Sequence, residues 1–128
     1  DLRMSRGLGD VYKRQLYNCS SLKRQAETLL CLINNIDANI ELTQKLTLAY
    51  MAQDLTAMKK ISDEELCSMS PQEKANMIDN RNRQWVKVLP EIMKAAPTFV
   101  AVGALHLLGE NGVLNLLKQQ GYTVEPVK

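Results

Sequence analysis

The sequence predicts a helix-rich α/β fold: four helical segments, then a C-terminal strand–helix–strand, together a fragment of a larger α/β domain. Three observations carry that expectation. Apolar residues recur with a 3.6-residue period through the first two-thirds of the chain. A strand candidate, Thr98 to Ala104, follows with an unbroken apolar run from Phe99 to Val102, apolar on both faces as a central parallel strand would be. Beyond it, glycines bracket a turn that opens a short periodic segment ending at Gly121.

The helical segments come first. Ser20 or Ser21 is placed to cap a helix whose inward positions are Leu22, Ala26, Leu29, Leu30 and Ile33. Asp37 is placed to cap a second, with Ile40, Leu46, Ala49, Tyr50 and Met58 as inward candidates. Ser62-Asp63-Glu64-Glu65 reads as a capping box for a short third helix. Ser70-Pro71-Gln72-Glu73 is the stronger start: a serine cap, proline at the first helical position, glutamate three residues after the cap. The fourth helix it opens carries Ile78, Trp85, Leu89 and Ile92 on one face, with Arg83, Lys87, Glu91 and Lys94 pointing away. Pro90 has no N–H for the carbonyl of Val86, so a kink or break is expected there.

Thr98 to Ala104 is then the first strand, Asn111 to Gln120 a crossover helix, and Tyr122 to Val127 a last strand that Pro126 confines to an edge or strand end. Two strands do not make a stable sheet, so their partners are expected upstream of the sequence in hand.

Ser5 to Gln15 resembles a sequencing adapter translated in frame, and residues 1–15 are set aside as artefact. They hold four basic and two acidic residues, so the 16 and 14 of the whole chain become 12 and 12 and the net charge falls from +2 to 0. A nucleic-acid partner therefore has no electrostatic support. On this reading residues 16–128 are the C-terminal part of a longer protein. Aromatics are only 5% of the chain, leaving Leu, Ile, Val and Met to fill the core. No run approaches the roughly 18 apolar residues of a membrane span. Cys19, Cys31 and Cys67 are odd in number and form no Cys-x-x-Cys, which argues against a zinc site or a disulfide framework; Cys31 is expected as a small core residue. The sequence assigns no compartment and no oligomeric state.

The chain has a single histidine, His106, placed after the apolar run and before a helix start. Carboxyl ends of strands are where open α/β sheets build their sites. Gly103 would let a group approach closely, and Gly109 and Gly112 would allow a tight turn. His106 serves either as a metal ligand or general base, or as a ring packed under a loop and bonded to a carbonyl. Glu110 is a second possible ligand, equally explained by the macrodipole of the helix it precedes. Arg81-Asn82 fall on or beside the apolar stripe of the fourth helix. A guanidinium there is either paired structurally, with its stem beside Trp85, or placed to hold a carboxylate or phosphate. Lys59-Lys60 and Asp63-Glu64-Glu65 read as solvated faces and a cap. There is neither a phosphate loop nor a Gly-x-Ser-x-Gly elbow.

From Arg81-Asn82-Arg83-Gln84-Trp85, through Phe99-Val100-Ala101-Val102-Gly103-Ala104-Leu105-His106-Leu107-Leu108-Gly109-Glu110-Asn111-Gly112, to Gly121-Tyr122-Thr123-Val124, the chain resembles the C-terminal part of the TraB/GumN family, which includes TIKI-like proteins. The matches are to an Arg-Asn-x-x-Trp helix, the second of two Gly-x-x-His motifs and a closing Gly-Tyr-x-Val. Leu108 stands where many relatives have proline, and Asn80 where an acid often precedes Arg-Asn. The first Gly-x-x-His is absent, and an acidic motif is expected just upstream of Leu16. The resemblance implies a metal-dependent hydrolase of peptidase type acting on a peptide or small molecule, with His106 as metal ligand or general base and Arg81 orienting an acid or the oxyanion. With one histidine the site is incomplete, so the resemblance also implies a chain that is inactive alone and does not hold a divalent ion tightly. A non-catalytic peptide or small-ligand binding module and a helical interaction domain are the alternatives.

Overall fold

A computed structural model describes residues 20–127 of the chain; the adapter-like segment and Cys19 lie outside the described residues. Its elements in order are α1 (Leu22–Asn34), α2 (Ile36–Met51), α3 (Leu55–Asp63), α4 (Pro71–Lys74), a π turn (Ala75–Asp79), α5 (Asn80–Ala95), a 3₁₀ turn (Ala104–His106) and α6 (Val113–Gln119). The described residues contain no strand, so the α/β expectation is corrected to an all-helical fold. Backbone N–H and C=O groups of a strand must be paired in a ladder. Neither 98–103 nor 122–127 has such a partner, and the apolar run is not covered: Phe99 is 93% exposed and Val100 44%. With no sheet to return to, α6 is not a crossover helix; it packs on α5.

Ser21 caps α1, its hydroxyl accepting from the Arg24 N–H at 3.2 Å. The expected inward stripe of this helix is largely exposed, Leu22 at 84% and Leu29, Leu30 and Ile33 all above half. The reason is that α1 is tied to the molecule along another flank. Cys31 and Cys67 form a disulfide, Arg24 donates to the Ser68 carbonyl at 3.1 Å, and the Ser20 hydroxyl donates to Glu73 at 2.7 Å. Cys31 is thus a cross-link, and the expectation of no disulfide is overturned: a separation of 36 residues in sequence gives no local signal for the pair.

Only Asn35 separates α1 from α2, so α2 starts straight from the end of α1. Asp37 therefore lies within the first turn of α2, where it complements the dipole but does not cap. Asp54 caps α3, accepting from the Ala57 N–H at 2.9 Å, after Gln53 has turned the chain at φ 56°. The expected third cap, Ser62 to Glu65, instead falls at the C-terminal end of this helix. Ala49 of α2 and Met58 of α3 are buried where the two helices pack.

Ser70 makes the full capping box with Glu73. The π turn follows, with Asn80 N–H donating to the carbonyl of Ala75, five residues back. One extra residue in a turn shifts the helical phase by about 100°. Hence the inward face of α5 is Asn82, Val86 and Leu89, not a continuation of the Ile78 stripe, and Ile92 is 44% exposed. Val86, Leu89 and Val113 form the main core, with Trp85, Met93, Leu116 and Leu117 against it.

α5 runs through Pro90 without a break. The carbonyl that proline leaves without an in-helix donor, that of Val86, accepts instead from Gln120 Nε2 at 3.2 Å. α6 then ends in a Schellman motif: Tyr122 N–H reaches the Leu117 carbonyl and Gly121 N–H that of Lys118.

Candidate functional site

Three segments meet at His106. The π turn sets the phase of α5 so that Asn82 faces inward, at 0% exposure, while Arg81 and Trp85 flank it half-buried. The 3₁₀ turn carries His106, 7% exposed. The glycine loop between that turn and α6 supplies Asn111. Gly112 is required there: an added Cβ would lie 2.5 Å from the carbonyl oxygens of Leu107 and Leu108. Gly109 sits at φ +76°, a conformation side chains disfavour. Gly103 is different. A Cβ there would meet His106 Cδ2 at an ordinary 3.8 Å, so the close approach expected at this glycine does not occur.

Asn82 determines how His106 sits. Its Nδ2 donates to the carbonyls of Asn111 (2.7 Å) and His106 (3.2 Å), which leaves Oδ1 facing His106 Nδ1 at 2.7 Å. An amide oxygen only accepts, so Nδ1 carries the proton and Nε2 presents a lone pair. Arg81 Nη1 donates to that lone pair at 3.2 Å and reaches the Met77 carbonyl at 3.4 Å. The guanidinium also lies 4.7 Å over the Trp85 ring, whose centroid is 4.7 Å from the imidazole at a 48° tilt. Burial, and then the positive charge of Arg81, push the His106 pKa below its ordinary 6.5, so the ring is neutral at pH 7.

The structure therefore brings Arg81, Asn82 and His106 into one cluster with Trp85. Glu110 is elsewhere, exposed on the loop and lining a separate cleft. Sequence reasoning missed Asn111, which accepts from Asn82 through its backbone and from Arg83 through its side chain at 3.3 Å. It also placed Arg83 simply outward, whereas its guanidinium bridges Asn80 and Asn111. Neither role has a local signal, because both depend on the loop folding back onto α5.

The arrangement does not fit a metal ion as it stands. The one lone pair His106 presents is taken by a guanidinium, and a cation would have to displace a like charge to reach it. No group of three or more His, Cys, Asp or Glu suited to a metal occurs among the described residues.

In the described residues an Arg-Asn-x-x-Trp helix grips a Gly-x-x-His turn within a wholly helical set of elements. A sequence model of the TraB/PrgY/gumN family matches residues 12–126, and the chain belongs to that family. No curated relative and no solved structure matches it. No helix of the described residues is long and apolar enough to cross a membrane.

Proposed function

We propose that the chain supplies a ligand-positioning site in a TraB-family protein, at which Arg81 holds a carboxylate of a peptide or small-molecule ligand and His106 orients Arg81. One observation carries this reading: a neutral imidazole, its tautomer fixed by Asn82, aims its lone pair at a guanidinium stacked on Trp85. A planar fork held in place in this way matches a carboxylate bidentately and loses little entropy on binding. In this role His106 is neither a metal ligand nor a general base.

Metal-dependent hydrolysis, the activity implied by the family resemblance, makes a different demand. His106 Nε2 would have to exchange Arg81 for a divalent ion, and at least two more ligands would have to converge on it. The two readings separate in one titration series. Trp85 is the only tryptophan, so its fluorescence reports on the site. Short peptides ending in a free carboxylate should change that signal, their C-terminal amides should not, and Arg81→Gln should weaken the response about tenfold or more. Equal binding of acid and amide would overturn the proposal. One-to-one binding of zinc or manganese that is lost in His106→Ala would establish the metal reading instead.

A further inference from the structure

α1 meets the rest of the molecule through a polar flank. Arg24, Cys31 and Asn35 share that flank and are half-buried; Arg24 bonds the Ser68 carbonyl and Cys31 is linked to Cys67. The apolar stripe of α1 faces the other way and continues into α2. Asn35 N–H donates to the Cys31 carbonyl, and the Asn35 carbonyl accepts from Asn39 N–H, so the helical phase carries across the junction. Leu22, Leu29, Leu30 and Ile33 of α1 therefore line up with Ile36 and Ile40 of α2, and each of the six is more than half exposed. Between Leu32 and Gln44 the same face holds a shallow groove of about 390 Å³ with no charged residue in its lining. The stripe amounts to a patch on the order of 600 Å², at the upper end of what a monomer exposes and close to the roughly 800 Å² that each partner gives to a standard interface.

We infer that this face pairs with the same face of a second copy of the chain, antiparallel about a two-fold axis beside Ile36. Charge selects both the partner and the register. An uncharged groove rejects a charged segment, because a buried carboxylate or ammonium would go unpaired. The two helices carry three basic residues (Lys23, Arg24, Lys45) and three acidic ones (Glu27, Asp37, Glu41), so no basic excess draws the face to an anionic membrane. Glu27 and Lys45 are separated by roughly five helical turns and so lie along one edge of the stripe. Position 36 is midway between them. A two-fold axis there sets Glu27 of each copy opposite Lys45 of the other, Leu32 against Ile40, and Ile36 against itself. Within one chain Glu27 already pairs with Lys23 and Lys45 with Glu41. The rim of the dimer is thus a row of four charges of alternating sign, which fixes the orientation while the apolar stripe supplies the affinity. The pairing involves neither Arg81 nor His106, and it stands apart from the ligand reading.

The test is sedimentation equilibrium of the whole chain, carrying Cys19→Ser to keep intermolecular disulfides out. It should show a dimer with a Kd of about 10 µM or tighter. Ile36→Glu places two carboxylates face to face on the axis and should weaken the dimer about a hundredfold or more. Ile36 is 59% exposed, so the fold is not at stake, and a circular-dichroism spectrum like the wild type's shows that the variant is folded. Ile33→Glu, one turn away, should act in the same direction. Glu27→Lys should weaken the dimer about fivefold, and Lys45→Glu added to it should restore most of that loss, as the antiparallel register requires. The inference is overturned by a chain that stays monomeric up to about 500 µM, or by a dimer indifferent to both Ile36→Glu and Ile33→Glu. A monomer that floats with phosphatidylcholine–phosphatidylserine vesicles would give the face to a membrane instead. A Glu27→Lys loss that Lys45→Glu deepens would overturn the two-fold at Ile36.

Discussion

Asn82 is a small residue with a large structural task. It is fully buried and its amide closes three bonds, to the carbonyls of His106 and Asn111 and to the imidazole of His106. Asn82→Ala strands two buried partners on His106 and the half-buried carbonyl of Asn111, so a loss of about 2–4 kcal/mol is expected in urea denaturation. Asn82→Asp, which keeps the acceptor but removes both donors, should be nearly as costly. A loss under about 0.5 kcal/mol in either variant would show that the loop holds without this residue. His106 adds a pH dependence whose sign is fixed. Its folded pKa lies below the ordinary 6.5, so the unfolded chain takes up the proton first. The contribution is complete above that value and is lost as pH falls through 6.5 towards the folded pKa. Urea midpoints measured between about pH 8 and pH 5 should fall with acid in the wild type and stay flatter in His106→Gln. Glu73, held down to about 2 chiefly by the Ser20 hydroxyl and then by the Ser70 N–H, behaves alike further into acid. Its stabilisation is present above its ordinary 4.5 and fades as pH falls towards 2. At this scale the sequence was legible where chemistry is local: the Ser70 box and the Ser21 cap. It was silent on Asn82 as the tautomer-setting group, since an asparagine on an apolar stripe carries no sign of what it faces.

Among the elements, α5 shows how a local rule is overridden by a distant partner. Proline in a helix interior usually costs about 3 kcal/mol, largely through the lost bond and the clash with the preceding turn. Here Gln120, just past α6, fills the lost bond by donating to the Val86 carbonyl. The break expected at Pro90 does not form, and a sequence separation of 34 between Val86 and Gln120 hides the reason. A double-mutant cycle tests the compensation. Gln120→Ala alone should cost about 1 kcal/mol, because it leaves a buried carbonyl unmet. In a Pro90→Ala background the new N–H at position 90 serves Val86, and the same Gln120→Ala change should cost close to nothing. Equal costs in the two backgrounds would mean that Gln120 and Pro90 are unconnected. The π turn is a second case. Periodicity read from Ile78 onward assumes one unbroken phase, and a single inserted residue takes Ile78 out of phase with the face that Asn82, Val86 and Leu89 form beyond the turn. The strand expectations failed for a related reason. An apolar run signals burial on both faces, yet a ladder also needs partners, and Phe99 and Val100 stay exposed without them.

Across the described residues as a whole the core is thin. Among the described residues the buried apolar side chains are Ala49, Met58, Val86, Leu89 and Val113, shared between the α2–α3 packing and the α5–α6 packing. α1 contributes no buried residue at all. What holds it is the Cys31–Cys67 disulfide, Arg24 and Ser20, all attached to the 64–73 segment that also walls the cleft beside the glycine loop through Glu65, Ser68 and Met69. Closing a loop between residues 36 apart removes enough unfolded-chain entropy to stabilise the fold by about 4 kcal/mol in the chain-entropy account. For a domain whose total stability is on the order of 5–10 kcal/mol, that is a large share. Reduction with a dithiol should therefore lower the thermal midpoint by about 15 °C, given some 4 °C per kcal/mol at this size. Cys31→Ser with Cys67→Ser should melt like the reduced wild type and be indifferent to the reductant, which separates the cross-link from any effect of reductant elsewhere. Because α1 has no core residue to retain it, its amides should lose exchange protection first on reduction, while those of α5 and α6 persist. Uniform loss of protection across all helices, or a midpoint that does not move, would mean that α1 is held by packing and the disulfide is incidental.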